Sequence, residues 1–159
     1  MIDGSYIHVH QDAFGARNSA GNQAIGRSRG GQTSKIHLVI DGDGFLRNIK
    51  LTSGNIHDII PAGELLRDCF FCTILADKGY DGKALVNQLS EQQCTAVIPS
   101  RSNSKHPREL DKVMYKQRHL IENFFGKVKR FRRIATRYDK LASTYLFFFI
   151  FASLIISTR

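Results

Sequence analysis

Residues 2 to 10, IDGSYIHVH, alternate. Ile2, Gly4 and Tyr6 fall to one side of an extended chain and Asp3, Ser5 and Ile7 to the other, so the period of two predicts a strand. Two further β-type runs, TSKIHLVID and FLRNIKLTSG, flank the tetrapeptide DGDG, a strong hairpin signal. HDIIPAGELLRD switches to helical spacing, with Pro61 near the first turn, where a missing N–H is tolerated. CFFCTILA is a short apolar run closed by the turn-rich DKGYDG, which predicts a buried strand. GKALVNQLSEQ reads as a helix and CTAVIPS as another buried strand. From Glu109 to about Phe131 the spacing is helical again, and residues 141 to 156 form a last, apolar helix. Residues 15 to 31 carry five glycines and three arginines, too Gly-rich for a helix or packed strand, and are expected to be a polar loop. Residues 101 to 109 form a second polar, basic loop.

The predicted order is strand, hairpin, helix, strand, helix, strand, long helix, helix. Early strands followed by alternating helices and strands point to an α/β fold, a mixed sheet with helices packed on it. A length of 159 residues suits one domain with its own core. The apolar run YLFFFIFASLII is 12 residues long, where a membrane span needs about 20, so a buried terminal helix is expected and no membrane partner. The start, MIDGSYIHVH, has no basic segment followed by an apolar run, which argues against a secretory signal. Three cysteines give no disulfide framework, which fits a reducing cytoplasm. Cys69 and Cys72 with His8 and His10 are a conceivable zinc quartet, but Phe70 and Phe71 between the cysteines read as core strand and weigh against it.

Charge changes the picture because it is localised. Residues 101 to 140 hold 13 Lys or Arg against 4 Asp or Glu, a balance of +9, and the rest of the chain balances at zero. Such concentration implies a polyanionic partner, most often nucleic acid, against the blander reading of a solvated face. Within YKQRHLIENFFGKVKRFRRIATRYDK, Glu122 is the lone glutamate. On a helical wheel Tyr115, Arg118 and Lys129 lie within about 40° of it, opposite the apolar side of Leu120, Phe124 and Val128. Arg118 and Glu122 could be only an i,i+4 pair supporting an exposed helix. Two other acids favour chemistry. Asp3 lies within the first strand and Asp77 directly follows the CFFCTILA strand, positions where a carboxylate needs a cation. Two strand aspartates and one helix glutamate at a sheet edge would make a hard-oxygen site for Mg²⁺ or Mn²⁺. Asp81 competes with Asp77, but with Gly82 it is expected to form the turn or cap that starts the next helix. His57 and Asp58 in GNIHD are weighed between the site and a helix cap. Arg27, Arg29 and Lys35 are weighed between DNA contact and a solvated loop.

The segment YKQRHLIENFFGKVK fits Y-x2-R-x3-E-x6-K through Tyr115, Arg118, Glu122 and Lys129. It resembles the signature around the catalytic glutamate of bacterial insertion-sequence transposases with a DDE site. MIDGSYIHVH is similar to that family's first-aspartate block and LADKGYDG to its second, while GRSRGGQTSKIHLVIDGDG and LTSGNIHD resemble the segments between. The resemblance runs over nearly the whole chain, in order. It implies an RNase H-like fold in one catalytic domain over residues 1–159, with Asp3, Asp77 and Glu122 as catalytic residues holding Mg²⁺ or Mn²⁺. It implies cleavage at transposon ends followed by attack of the freed 3′-hydroxyl on target DNA. Tyr115, Arg118 and Lys129 would contact phosphates near the scissile bond, with Arg130, Arg132 and Arg133 continuing a basic track. The implied partners are double-stranded DNA and a second copy of the chain on that DNA, in the bacterial cytoplasm at the nucleoid.

One departure stands out. Family members usually carry a DNA-binding region before the first aspartate, and with Asp3 so near the start of this sequence that region is expected to be missing. Part of the family is encoded in two overlapping frames, so the chain resembles a downstream, catalytic half whose activity depends on an upstream-frame partner. Two rival readings stay open: an RNase H-like nuclease that only hydrolyses nucleic acid, and a non-catalytic nucleic-acid-binding remnant.

Overall fold

In a computed structural model of the chain, which describes residues 1–16, 21–102, 104 and 107–158, the alternating start forms strand β1 (Ile2–Val9). It pairs antiparallel with β3 (Gly31–Ile40), from Ile2 opposite Val39 to His8 opposite Thr33. The DGDG hairpin then returns the chain as β4 (Leu46–Ser53) on the far side of β3. Asp41 sets that turn: its carboxylate accepts from the N–H groups of Asp43 at 3.0 Å and Phe45 at 2.9 Å, while Gly44 takes a φ of +86° closed to most side chains.

The expected Gly-rich loop contains one strand that its composition hid. Gly26–Ser28 form β2, a short hairpin onto the first residues of β3 turned by Gly31 at φ +89°. Residues 17–20 of that loop, and 103, 105 and 106 of the basic loop, lie outside the described residues.

After helix α1 (Ile59–Leu65) come β5 (Thr73–Leu75), α2 (Lys83–Glu91) and β6 (Thr95–Val97), with β5 and β6 paired parallel. Leu75 and Val97 pack into one core cluster while Ile74 and Ala96 pack into the other. β5 and β6 form a separate two-stranded sheet that contributes side chains to both cores. The first core joins Ile7, Ile36 and Leu38 to the helices that follow in sequence. These are α3 (Lys112–Lys116), α4 (His119–Val128), α5 (Arg132–Ala135) and α6 (Ala142–Ser157). The second core puts Ile2 and Val39 against α1 and α2. A two-residue strand, β7 (Thr136–Arg137), adds to β1 in parallel at His8 and Val9. A mixed sheet with helices on both faces is the expected α/β arrangement, and an RNase H-like one.

Three local expectations fail for identifiable reasons. The helix expected over 109 to 131 is two helices, because Gln117, Arg118, Leu120 and Ile121 donate to carbonyls three residues back rather than four. CFFC is not core: Phe70 and Phe71 are 56% and 77% exposed, and Phe71 turns at φ +52° before β5 begins. Helix α6 is apolar all round but buries only one side, leaving Phe147, Ile150, Phe151 and Leu154 exposed. Among the described residues no helix is long and apolar enough to cross a membrane.

Candidate active site

Asp3 and Ser5 share the face of β1 that looks toward α4. One carboxylate oxygen of Asp3 accepts the Gly4 N–H at 2.8 Å, and the other receives the Arg118 guanidinium at 3.1 Å. The same guanidinium pairs with Glu122 one turn along α4. An acid from the first strand and one from a late helix are thus joined through one cation. Arg118 can reach both because it sits at the tightened junction between α3 and α4, so the broken helix is what aims it. Burial raises the Asp3 pKa, and the Gly4 N–H and Arg118 only partly offset that; the charges of Asp77 and Asp58 raise it further. Burial alone would lower Arg118, but Asp3 and Glu122 hold its pKa above the ordinary value.

Asp77 lies two residues past β5 and caps the turn that follows, accepting the Gly79 N–H at 2.8 Å. It lies near enough to raise the Asp3 pKa. Tyr80, buried just beyond it, has its phenol pushed far up by burial and by Asp58, Asp3 and Asp77, and its hydroxyl has no hydrogen-bond partner among the described residues. Among those residues no three His, Cys, Asp or Glu side chains stand at metal-holding spacing. What the site has is a cation already between two acids. The donors are hard carboxylate oxygens, the chemistry that suits Mg²⁺ or Mn²⁺, and Arg118 marks where positive charge is wanted.

The other expected site residues divide. Lys129 donates to the Ser5 hydroxyl at 2.7 Å and the Tyr6 carbonyl at 3.0 Å, so it stands beside the strand that carries Asp3, and burial lowers its pKa. Tyr115 is half-buried against the first core. Arg130 and Arg132 are both exposed, and neither pairs with a carboxylate among the described residues. Arg133 is committed to Asp139 and lies over the Phe148 ring at 3.8 Å. Arg137, counted in the basic segment, is fully buried and donates to the Gln23, Asp139 and Lys140 carbonyls and the Ser34 hydroxyl. Part of the localised charge is therefore structural.

On the opposite face of β1 lies a network that composition and spacing did not reveal. Lys35 and His37 of β3 are buried, and both turn to Asp58 at the start of α1. Lys35 Nζ is 2.6 Å from one carboxylate oxygen, and His37 Nδ1 is 3.3 Å from the other, at ion-pair distance but not aligned as a hydrogen bond. His37 Nε2 reaches the Thr52 hydroxyl at 2.8 Å. Burial alone would raise Asp58, but His37 and Lys35 overcome it and hold its pKa low. A Cβ on Gly4 would fall 2.0 Å from the Asp58 oxygen, so glycine lets this carboxylate lie against the backbone one residue from Asp3. The available signal was the i,i+2 spacing of Lys35 and His37, which puts two polar residues on one side of a buried strand. Asp58 makes no side-chain cap for α1.

Asp81 lies in the turn before α2, whose N-cap is Gly82; it accepts the Arg101 N–H at 2.7 Å and pairs with Arg108 at 2.6 Å. The zinc quartet is not assembled. Cys72 lies 3.6 Å from Cys94, its pKa pushed up to about 11 by burial and that neighbour, while His10 packs on Tyr138 and Asp12.

The chain matches the family model described as "Transposase DDE domain" over residues 1–156. It is 36% identical over 118 residues to a curated protein of Brucella ovis whose name gives it as a candidate transposase for an insertion sequence element. That match covers 73% of this chain and 91% of the relative. No solved structure matches at the same stringency.

Proposed function

The chain belongs to the transposase DDE-domain family of nucleic-acid phosphoryl-transfer enzymes, and from that premise we propose that residues 1–159 form one catalytic domain that cleaves transposon ends and transfers the freed 3′-hydroxyl strand to target DNA. The observation that carries this reading is the convergence of Asp3 and Glu122 on Arg118, with Asp77 close enough to perturb Asp3. Asp3, Asp77 and Glu122 would hold Mg²⁺ or Mn²⁺, which when bound activates an attacking oxygen and neutralises a leaving one. Arg118, once it yields those carboxylates, turns to a phosphate of the scissile strand. Lys129, fixed beside Asp3 by Ser5 and the Tyr6 carbonyl, binds the neighbouring phosphate, and Tyr115 backs Arg118 from the core. Arg130, Arg132 and Arg133 extend the phosphate track, which weakens with salt as counterions compete. The substrate is double-stranded DNA at the bacterial nucleoid, bound by a homodimer with an upstream-frame half supplying end recognition.

The test is strand cleavage with Mn²⁺ on DNA bearing the element's ends, comparing this chain alone, its fusion to the upstream frame, and Glu122→Ala in each. We expect cleavage by the fusion, and loss of cleavage with DNA affinity retained in Glu122→Ala. Cleavage at the wild-type rate by Glu122→Ala would sink the assignment.

A further inference from the structure

Beyond the acids, β1 runs into a cleft of 690 Å³ that the mechanism above does not use. Its walls are Tyr6 and His8 of β1, Arg27 and Arg29 of the β2–β3 hairpin, Thr33 of β3, and His57 from the link before α1. Its size falls among clefts that hold drug-sized ligands, roughly 300–1,000 Å³, a range that includes a nucleotide.

The cleft is built rather than loose. A Cβ on Gly54 would fall 1.9 Å from the Thr33 hydroxyl, and one on Gly26 2.4 Å from Asn55 Oδ1, so the hairpin and the link pack at glycine-only distance. No carboxylate lines it, and neither Arg27 nor Arg29 pairs with one among the described residues. The Thr33 hydroxyl is buried there without a hydrogen-bond partner among the described residues, an unmet polar group at the cleft wall. Tyr6 is 50% exposed, with Lys35 Nζ 4.4 Å from its ring centroid, so one ring face is backed by a cation while the residue stays half open. Its backbone carbonyl is held by Lys129, which ties the cleft to the phosphate track.

Resting on the transposase reading, we propose that this cleft binds a short single-stranded segment of the DNA substrate, one base stacked on Tyr6 and its phosphates held by Arg27 and Arg29. An aromatic face beside unpaired arginines is the common means of holding an unpaired base, because every base has a stacking face whatever its sequence. A paired duplex cannot offer that face. Tyr6 lies three residues from Asp3, about 10 Å along the strand but on its other face, so the cleft takes unpaired nucleotides that have passed beyond the bond to be cut.

The experiment is fluorescence anisotropy of the full chain, in chelator to prevent cleavage, with a labelled blunt duplex and the same duplex carrying a short single-stranded overhang. We expect tighter binding of the overhang. Tyr6→Leu, and Arg27→Ala with Arg29→Ala, should each remove roughly tenfold of overhang affinity while leaving the blunt duplex nearly unchanged. Equal wild-type affinity for both duplexes overturns the cleft assignment and leaves the transposase reading standing. So does an equal loss on both duplexes in the variants, which would make these residues general phosphate contacts. Failure to bind either duplex would overturn the cleft assignment and the phosphate track of Arg130, Arg132 and Arg133 alike, and would leave cleavage by the fusion to decide the transposase reading.

Discussion

The two faces of β1 hold acids in opposite ways. On one face Asp3 is half-buried with a raised pKa, facing a single shared guanidinium and another carboxylate's charge. On the other, Asp58 has two buried basic partners and a lowered pKa. Asp58 is held charged by its basic neighbours even though its Oδ1 makes no hydrogen bond, whereas Asp3, with both oxygens hydrogen-bonded, is still pushed toward its neutral form by burial and by neighbouring carboxylates. A strand anchored from behind can afford an uncomfortable acid in front, and that contrast marks which face is built for chemistry.

The largest expected effect breaks the anchor. Asp58→Ala leaves Lys35 buried without its counter-charge and His37 without its carboxylate neighbour, and should cost about 3 kcal/mol, read by chemical denaturation. Gly4→Ala drives a methyl into the same carboxylate and should cost about 1–3 kcal/mol, read in the same way. Asp3→Asn should do the reverse: above neutral pH it should stabilise the fold by about 0.5 kcal/mol while abolishing cleavage.

The pH dependence separates the two acids by sign. Asp58, held below its ordinary value near 3.8, contributes stability above that value and loses it as pH falls through its folded pKa. Asp3, held above the same value, is penalised as pH rises through its folded pKa. Denaturation midpoints of Asp3→Asn should therefore exceed wild type only on the neutral side and meet it in acid. Asp58→Asn should fall below wild type on the neutral side and converge with it in acid. Two parallel curves would remove the distinction. The smallest effect lies on the basic track: Arg132→Ala should lower DNA affinity and its salt slope more than Arg133→Ala, because Asp139 already occupies Arg133.

The alternation of residues 2 to 10, the DGDG turn and the helical spacing of 119 to 128 made most of the sheet and α4 legible, because each rests on local periodicity. Asp3 and Glu122 were legible as acids in odd places, and the four-residue signature tied Glu122 to Arg118. That Arg118 would also reach Asp3 was not legible, since it depends on a break in hydrogen bonding between α3 and α4. The Lys35–Asp58 pair was not either, because its partners lie 23 residues apart in different elements. Strand β2 was masked by glycines that look like loop, although Gly26 packs closely on Asn55 and Gly31 makes the hairpin turn. CFFC misled by being apolar yet exposed, where a left-handed turn at Phe71 overrides composition.

Helix α6 has a practical consequence. Phe147, Ile150, Phe151 and Leu154 recur at i, i+3, i+4 and i+7, a second apolar stripe on the side that faces water. Salt added to strip nucleic acid from the basic segment screens that attraction but leaves the stripe untouched. Purified chain will then have two colloidal regimes. At low ionic strength it is held by polyanions, and at high ionic strength it is prone to self-association through α6, so its most soluble state lies between them.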